Sequence, residues 1–146
     1  MTALGRQLLA EFLRCDPMRL ADPEFIAQSM LQAARASGAT IVTHSFHHFA
    51  PLGVSGVVII SESHQAIHTW PEHGFAAVDY FTCGTRIDMD LGLEVLREAL
   101  GAEAVEVVAV ERGPGLKVSA VPLREPAAPV SAPDPRHSPS GTHRCQ

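Results

Sequence analysis

Lysine is almost absent from this 146-residue sequence, in which Lys117 is the single example. An enzyme that carries pyridoxal phosphate holds it on a lysine, and Lys117 lies near the end of the patterned sequence. We therefore expect no pyridoxal phosphate. The formal net charge of −5 also disfavours a nucleic-acid partner, because binding by phosphate neutralisation needs clustered Lys and Arg.

Long apolar runs and a cysteine framework are missing as well. No run approaches the ~20 apolar residues that a membrane span needs, and the first residues lack the basic start and apolar stretch of an export signal. The three cysteines, Cys15, Cys83 and Cys145, are widely spaced without a CxxC pair. This spacing does not suit a disulfide framework or a thiolate zinc site. We expect a cytoplasmic protein without membrane association.

The composition changes sharply after residue 121. Six prolines, mixed with Ala, Ser, Gly and Arg, occupy residues 122–146, and the apolar periodicity stops there. Such a stretch buries too little apolar surface to offset its ordering entropy. The sequence thus predicts one domain over residues 1–121, followed by a disordered Pro-rich tail over 122–146.

The domain alternates strand-like and helix-like patterns. Asp22-Pro23-Glu24 begins a helix that Gly38 ends, and a second helix covers 91–100. The segment 8–13 fits either a helix or a strand. This order predicts an α+β fold, a two-layer α/β sandwich with helices on one face of a mainly antiparallel sheet. A second copy of the protein would be the simplest cover for the other face. The predicted strands are 40–49, 53–60, 65–70, 75–83 and 104–110.

The residues that can do chemistry concentrate between Ser55 and Gly84. His64 and His68 are four residues apart, but on a strand that spacing separates them by roughly 13 Å, too far to share a metal ion. His44, His47 and His48 have no carboxylate or thiol at a familiar spacing, so we expect no metal site. A serine hydrolase is disfavoured too, because no Gly-x-Ser-x-Gly elbow occurs.

Three strings in this region carry a family resemblance: GVSGVVIISESH over 53–64, IHTWPE over 67–72 and VDYFTCG over 78–84. With Gly5-Arg6, Cys15-Asp16 and the segment 38–42, they closely resemble the prokaryotic S-adenosylmethionine decarboxylase proenzymes, from about Leu4 to Gly113. In that family the segment 8–13 is a strand, which resolves the ambiguity.

The resemblance implies a self-generated pyruvoyl cofactor, derived from Ser63, that forms a Schiff base with the substrate. The family's cleavage position falls between Glu62 and Ser63, where the Ser63 hydroxyl would attack the Glu62 carbonyl. His68 matches the position that transfers a proton during processing. Ser55 matches another processing position, whose hydroxyl would hydrogen-bond the tetrahedral intermediate.

Four further residues match catalytic or substrate-binding roles. The resemblance implies that Cys83 donates the proton that replaces CO₂, and that Phe49 stacks on the adenine of the substrate. Trp70 is another aromatic candidate, because aromatic faces attract a sulfonium cation. Glu72 would accept hydrogen bonds from the ribose hydroxyls.

The implied function is the decarboxylation of S-adenosylmethionine, which supplies the aminopropyl donor for spermidine biosynthesis. The cleaved chains would form a homo-oligomer, a dimer of αβ units, with the active site at the dimer interface. Two alternatives stay open on these residues. One is a pyruvoyl-dependent arginine or ornithine decarboxylase of the same fold, and the other is a processing-dead paralogue that regulates an active partner.

Overall fold

The computed structural model describes residues 3–121, so the prediction of a disordered tail over 122–146 concerns residues outside the described part. Eleven elements follow one another along the chain. They are β1 (Gly5–Leu13), α1 (Pro17–Leu20), α2 (Pro23–Ala36), β2 (Ile41–His48), β3 (Val54–Ile60), β4 (Ser63–Trp70), a 3₁₀ turn (Pro71–His73), β5 (Phe75–Thr82), α3 (Met89–Leu100), β6 (Ala104–Arg112) and β7 (Lys117–Val121).

The seven strands form one sheet in the order β2-β3-β4-β5-β1-β6-β7, and every pairing is antiparallel. The predicted α+β class is confirmed, and so is the strand over 8–13, which lies within β1. The helix α1 and the edge strand β7 were not predicted. A four-residue helix is too short for an apolar period to show, and β7 depends on pairing with β6.

The helices begin and end where their capping residues dictate. The side chain of Asp22 accepts hydrogen bonds from the backbone nitrogens of Glu24 and Phe25, at 3.0 and 3.1 Å. Asp88 caps α3 in the same way. Gly92 inside α3 has a packing reason, because a Cβ there would lie 3.0 Å from Cε1 of Tyr80. No helix within 3–121 is long and apolar enough to cross a bilayer.

The two faces of the sheet differ in what covers them. One face packs against α2 and α3 and contributes the buried core, with Leu8, Phe12, Val58, Ile67 and Tyr80 among its fully buried side chains. Because side chains alternate along a strand, the intervening residues lie on the opposite face, which no helix within residues 3–121 covers. We call this the open face. Its exposed hydrophobic side chains include Leu9, Ile59, Trp70 and Val118.

Candidate active site

The bond between Glu62 and Ser63 lies at the end of the two-residue connection from β3 to β4, where Ile60 pairs with Ser63. The carbonyl oxygen of Glu62 accepts two hydrogen bonds from Cys83. The backbone nitrogen of Cys83 is 3.0 Å from this oxygen, and the Sγ of Cys83 is 3.1 Å from it. Two donors therefore converge on the carbonyl that the sequence marks for cleavage.

The side chain of Glu62 is held by the residues that precede β2 and follow β5. Its Oε2 accepts a hydrogen bond from the backbone nitrogen of Thr40, at 3.3 Å. A Cβ on Gly84 would lie 3.0 Å from the Glu62 Cγ, so a larger residue there would press on the Glu62 side chain. The segment that follows β5 thus covers Glu62 closely and fixes its carbonyl against Cys83.

Ser63 has a φ of 151°, a backbone conformation that residues other than glycine rarely adopt. Such strain costs on the order of 1–3 kcal/mol and tends to occur at functional sites. Its hydroxyl lies 3.2 Å from Nδ1 of His64, within hydrogen-bond reach. Sequence reasoning missed this contact, because consecutive strand residues normally point to opposite faces.

Ser55 and His68 form a separate pair on the open face. They are cross-strand partners on β3 and β4, and the Ser55 Oγ lies 2.7 Å from the His68 Nδ1. A cavity of about 370 Å³ opens over this pair. The sequence placed both residues in processing, and the structure joins them to each other.

The structure does not bring His68 to Ser63 within one chain. The two residues are five positions apart on β4, which corresponds to about 16 Å at ~3.3 Å per residue. The contact of Ser63 with His64, which shares a face with His68, leaves distance along the strand as the cause of this separation. In a single chain, therefore, the Ser63–Glu62–Cys83 group and the Ser55–His68 pair are two separate half-sites.

The predicted substrate-binding residues lie at the end of the sheet where His68 lies. Phe49 and Trp70 are 49% and 39% exposed, and the Trp70 ring is 6.4 Å from that of His68. Glu72 follows in the 3₁₀ turn, where its side chain is also exposed. None of these three residues lines the 360 Å³ cavity beside Cys83, to which Leu4, Arg6 and Thr82 contribute.

The two cysteines of the described part differ in accessibility. Cys83 is exposed at the end of β5. Cys15 is buried, and this burial raises the pKa of its thiol to about 11, which disfavours the reactive thiolate. Cys83 is the one of the two that can meet a ligand.

Histidines, cysteines and carboxylates do not converge into a metal site in this part of the molecule. No group of three or more such residues within 3–121 is arranged to hold a metal ion. The strand geometry separates the histidine cluster on β2, because His47 pairs with Ser55 on the open face while His44 and His48 pair with Val58 and Val54 on the other. Their closeness in sequence therefore does not become closeness of their side chains.

Comparison with known proteins gives a consistent set of relatives. Residues 6–113 match the family model described as S-adenosylmethionine decarboxylase. Proteins named S-adenosylmethionine decarboxylase proenzyme are similar to this chain in Thermotoga petrophila (58% identity over 113 residues, 77% of this chain and 87% of the relative) and in Acidithiobacillus ferrooxidans (53% over 113 residues, 77% and 85%). The crystal structure of the adenosylmethionine decarboxylase from Aquifex aeolicus superposes with a TM-score of 0.72 at 31% identity, covering 77% of this chain and 93% of that one.

Proposed function

The chain belongs to the S-adenosylmethionine decarboxylase family, and we propose that it cleaves itself between Glu62 and Ser63 to become active. Membership makes it a carboxy-lyase that acts on S-adenosylmethionine, and we infer that its product serves spermidine biosynthesis. The observation that carries the cleavage proposal is the position of the Glu62 carbonyl. Its oxygen accepts hydrogen bonds from the backbone nitrogen and the thiol of Cys83, and Ser63 is the next residue along the chain.

Cleavage begins when the Ser63 hydroxyl attacks the Glu62 carbonyl carbon, which turns the amide into an ester. Negative charge develops on the Glu62 oxygen, to which the backbone N–H and the thiol of Cys83 already donate hydrogen bonds. Donors aimed in advance at a developing oxyanion lower the barrier, and losing one typically costs ~10²–10³ in rate. Cys83 therefore supports cleavage in addition to its proposed role in turnover.

The second stage breaks the ester. His68 removes the α-proton of Ser63, β-elimination releases the Glu62 carboxylate, and hydrolysis of the resulting dehydroalanine gives the pyruvoyl group and ammonia. An imidazole is a common general base in proteins, which suits this proton transfer. The hydroxyl of Ser55 holds the Nδ1 side of the His68 ring at 2.7 Å and so fixes its orientation.

The surroundings of Ser63 fit a pyruvoyl group. Ser63 would become the first residue of the longer chain, and it pairs with Thr82, which lines the 360 Å³ cavity beside Cys83. The group supplies an electrophilic carbonyl that captures the substrate's amine and accepts the electrons released with CO₂. Cys83 then donates a proton to the α-carbon of the product. An exposed thiol in this role must stay reduced, which supports a cytoplasmic location.

We propose that a second copy completes the site. One chain cannot bring His68 to Ser63, because the two lie about 16 Å apart along β4, yet the cleavage chemistry needs both. The open face carries the Ser55–His68 pair together with the exposed hydrophobic residues Leu9, Ile59 and Val118. Pairing of two open faces would bury this apolar surface and would present the His68 of one copy to the Ser63 of the other.

Complementation between two defective chains tests this arrangement. Ser63→Ala lacks the nucleophile and His68→Ala lacks the base, so each chain expressed alone should fail to complete cleavage. Co-expressed with different tags, they should form mixed dimers in which the His68→Ala chain is cut. Its intact Ser63 would then meet the His68 of the other copy. Tag-specific immunoblotting gives the answer, and an uncut His68→Ala chain in isolated mixed dimers would place His68 in its own chain's site.

The substrate-binding residues predict a preference among amino acids. Phe49, Trp70 and Glu72 offer two aromatic rings and a carboxylate at the end of the sheet where His68 lies, which suits the adenine ring and ribose hydroxyls of an adenosine group. The mature enzyme should release CO₂ from S-adenosylmethionine far faster than from arginine or ornithine. Faster release from either basic amino acid would select the alternative decarboxylase instead.

The same assay tests the stacking role of Phe49. Phe49→Ala should weaken binding of S-adenosylmethionine by about 1–3 kcal/mol, by analogy with base stacking on aromatic side chains, and should therefore raise KM. Leu52→Ala provides a matched control, because Leu52 is similarly exposed in the same loop but has no ring. An equal KM for Phe49→Ala and the parent enzyme would remove Phe49 from the site.

A further inference from the structure

We propose that His64 is the base that takes the hydroxyl proton of Ser63 in the first step of cleavage. This inference rests on the proposed self-cleavage and assigns a residue to the step that precedes the action of His68. No motif of the sequence singled out His64 for this step. The assignment comes from the position of its side chain.

The imidazole of His64 is already in contact with the reacting atom. Its Nδ1 lies 3.2 Å from the Ser63 Oγ, a separation from which a proton can pass directly as the nucleophile attacks. The hydroxyl and the ring nitrogen belong to consecutive residues, so no change of strand register is needed to bring them together.

The ring of His64 is held in place by its neighbours on both sides. Its cross-strand partners are Phe81 on β5 and Ile59 on β3. The Phe81 ring meets it edge-on, with centroids 5.8 Å apart, an arrangement that favours one orientation of the imidazole. This contact with Phe81 keeps the half-buried ring in place, with its Nδ1 at Ser63.

The backbone of Ser63 explains how adjacent strand residues can meet. On a regular strand their side chains would point to opposite faces, but the φ of 151° at Ser63 breaks that alternation. Among non-glycine residues in the described part, only Arg14 shares a positive φ. The strained conformation thus occurs at the residue whose hydroxyl must be aimed both at a carbonyl and at a base.

In the first step His64 takes up one proton and returns it. As the Ser63 Oγ bonds to the Glu62 carbonyl carbon, its proton moves to His64 Nδ1. The tetrahedral intermediate collapses by breaking the bond between the Glu62 carbon and the Ser63 nitrogen, and that nitrogen takes the proton back from His64. An ester and a free amine replace the amide, and His64 ends as it began.

Two substitutions at His64 separate chemistry from placement. His64→Ala removes both the base and the hydrogen-bond acceptor, whereas His64→Asn keeps an acceptor near the position of Nδ1 but cannot accept the proton. Loss of an acid–base group typically costs ~10²–10⁴ in rate, so both variants should cleave at least about 100-fold more slowly. His44→Ala is the matched control, a histidine on β2 that should leave the cleavage rate unchanged.

The stage at which each variant stops identifies the step. Hydroxylamine cuts an ester but not an amide, so it should cut the chain of His68→Ala, which stalls after the acyl shift, and leave His64→Ala and His64→Asn intact. Thermal melting confirms that each variant is folded. Wild-type cleavage by His64→Asn, or hydroxylamine-sensitive ester in either His64 variant, would overturn the proposal. A wild-type chain that is never cut would instead reject the proposed self-cleavage itself.

Discussion

Ser63→Ala should remain a single chain of 146 residues, while the parent protein yields chains of 62 and 84 residues. The alanine has no hydroxyl to attack the Glu62 carbonyl, so neither the ester nor the pyruvoyl group can form. Decarboxylation should fall to background, because the carbonyl that captures the substrate's amine is then missing. Intact-mass measurement reads both results, and the longer parent chain should carry the mass signature of a pyruvoyl group.

Ser61→Ala is the control that fixes the choice of nucleophile. Ser61 precedes Glu62 in the same short connection, where its backbone nitrogen donates to the Thr40 carbonyl. The proposed acyl shift instead uses the hydroxyl of the residue that follows the attacked carbonyl. Ser61→Ala should therefore cleave normally. If Ser63→Ala is still cleaved, or if Ser61→Ala is the variant that is not cleaved, the nucleophile is Ser61.

Cys83→Ala should separate cleavage from turnover. The variant keeps the backbone N–H that donates to the Glu62 carbonyl but loses the thiol donor at 3.1 Å. We expect it to cleave more slowly and still to form the pyruvoyl group. Turnover should fall by ~10²–10⁴, the usual effect of removing a general acid, since the α-carbon of the product then lacks its proton donor.

The fate of the longer chain gives a second measure of the same role. Without the thiol, some protonation should occur on the carbon that was the Cα of Ser63, which leaves an alanine at that position and an inactive enzyme. Mass spectrometry after incubation with S-adenosylmethionine detects this change. Cys15→Ala is the matched control, because that thiol is buried away from the site. Normal turnover by Cys83→Ala would make the thiol a packing residue.

The thiol of Cys83 donates a hydrogen bond to the carbonyl oxygen of Glu62. The family resemblance implies a role for Cys83 in turnover alone, and neither stage of cleavage has an evident need for a thiol. In the structure the same side chain contacts the Glu62 carbonyl, so we propose that one residue serves both the maturation and the reaction of the mature enzyme. The slower cleavage expected of Cys83→Ala follows from that contact.

The sequence by itself determined the architecture and the family. Runs rich in Val, Ile, Thr and aromatic residues, bounded by Gly or Pro, marked the strands. Asp22 and Gly38 marked the ends of α2, and the strings around Ser63 and Cys83 carried the family resemblance. These signals are local. A cap, a strand period or a contiguous motif depends on residues within a few positions of one another, so it can be read before the chain is folded.

Only the tertiary structure decided which of the chemical residues meet. Cys83 reaches Glu62 across 21 positions because β4 pairs with β5 in a particular register, and His64 reaches Ser63 because the backbone is strained there. The same geometry separates His68 from Ser63, although they are close in sequence, since a strand extends about 3.3 Å per residue. Strand register and local strain arise from packing across the whole sheet, which no short stretch of sequence encodes.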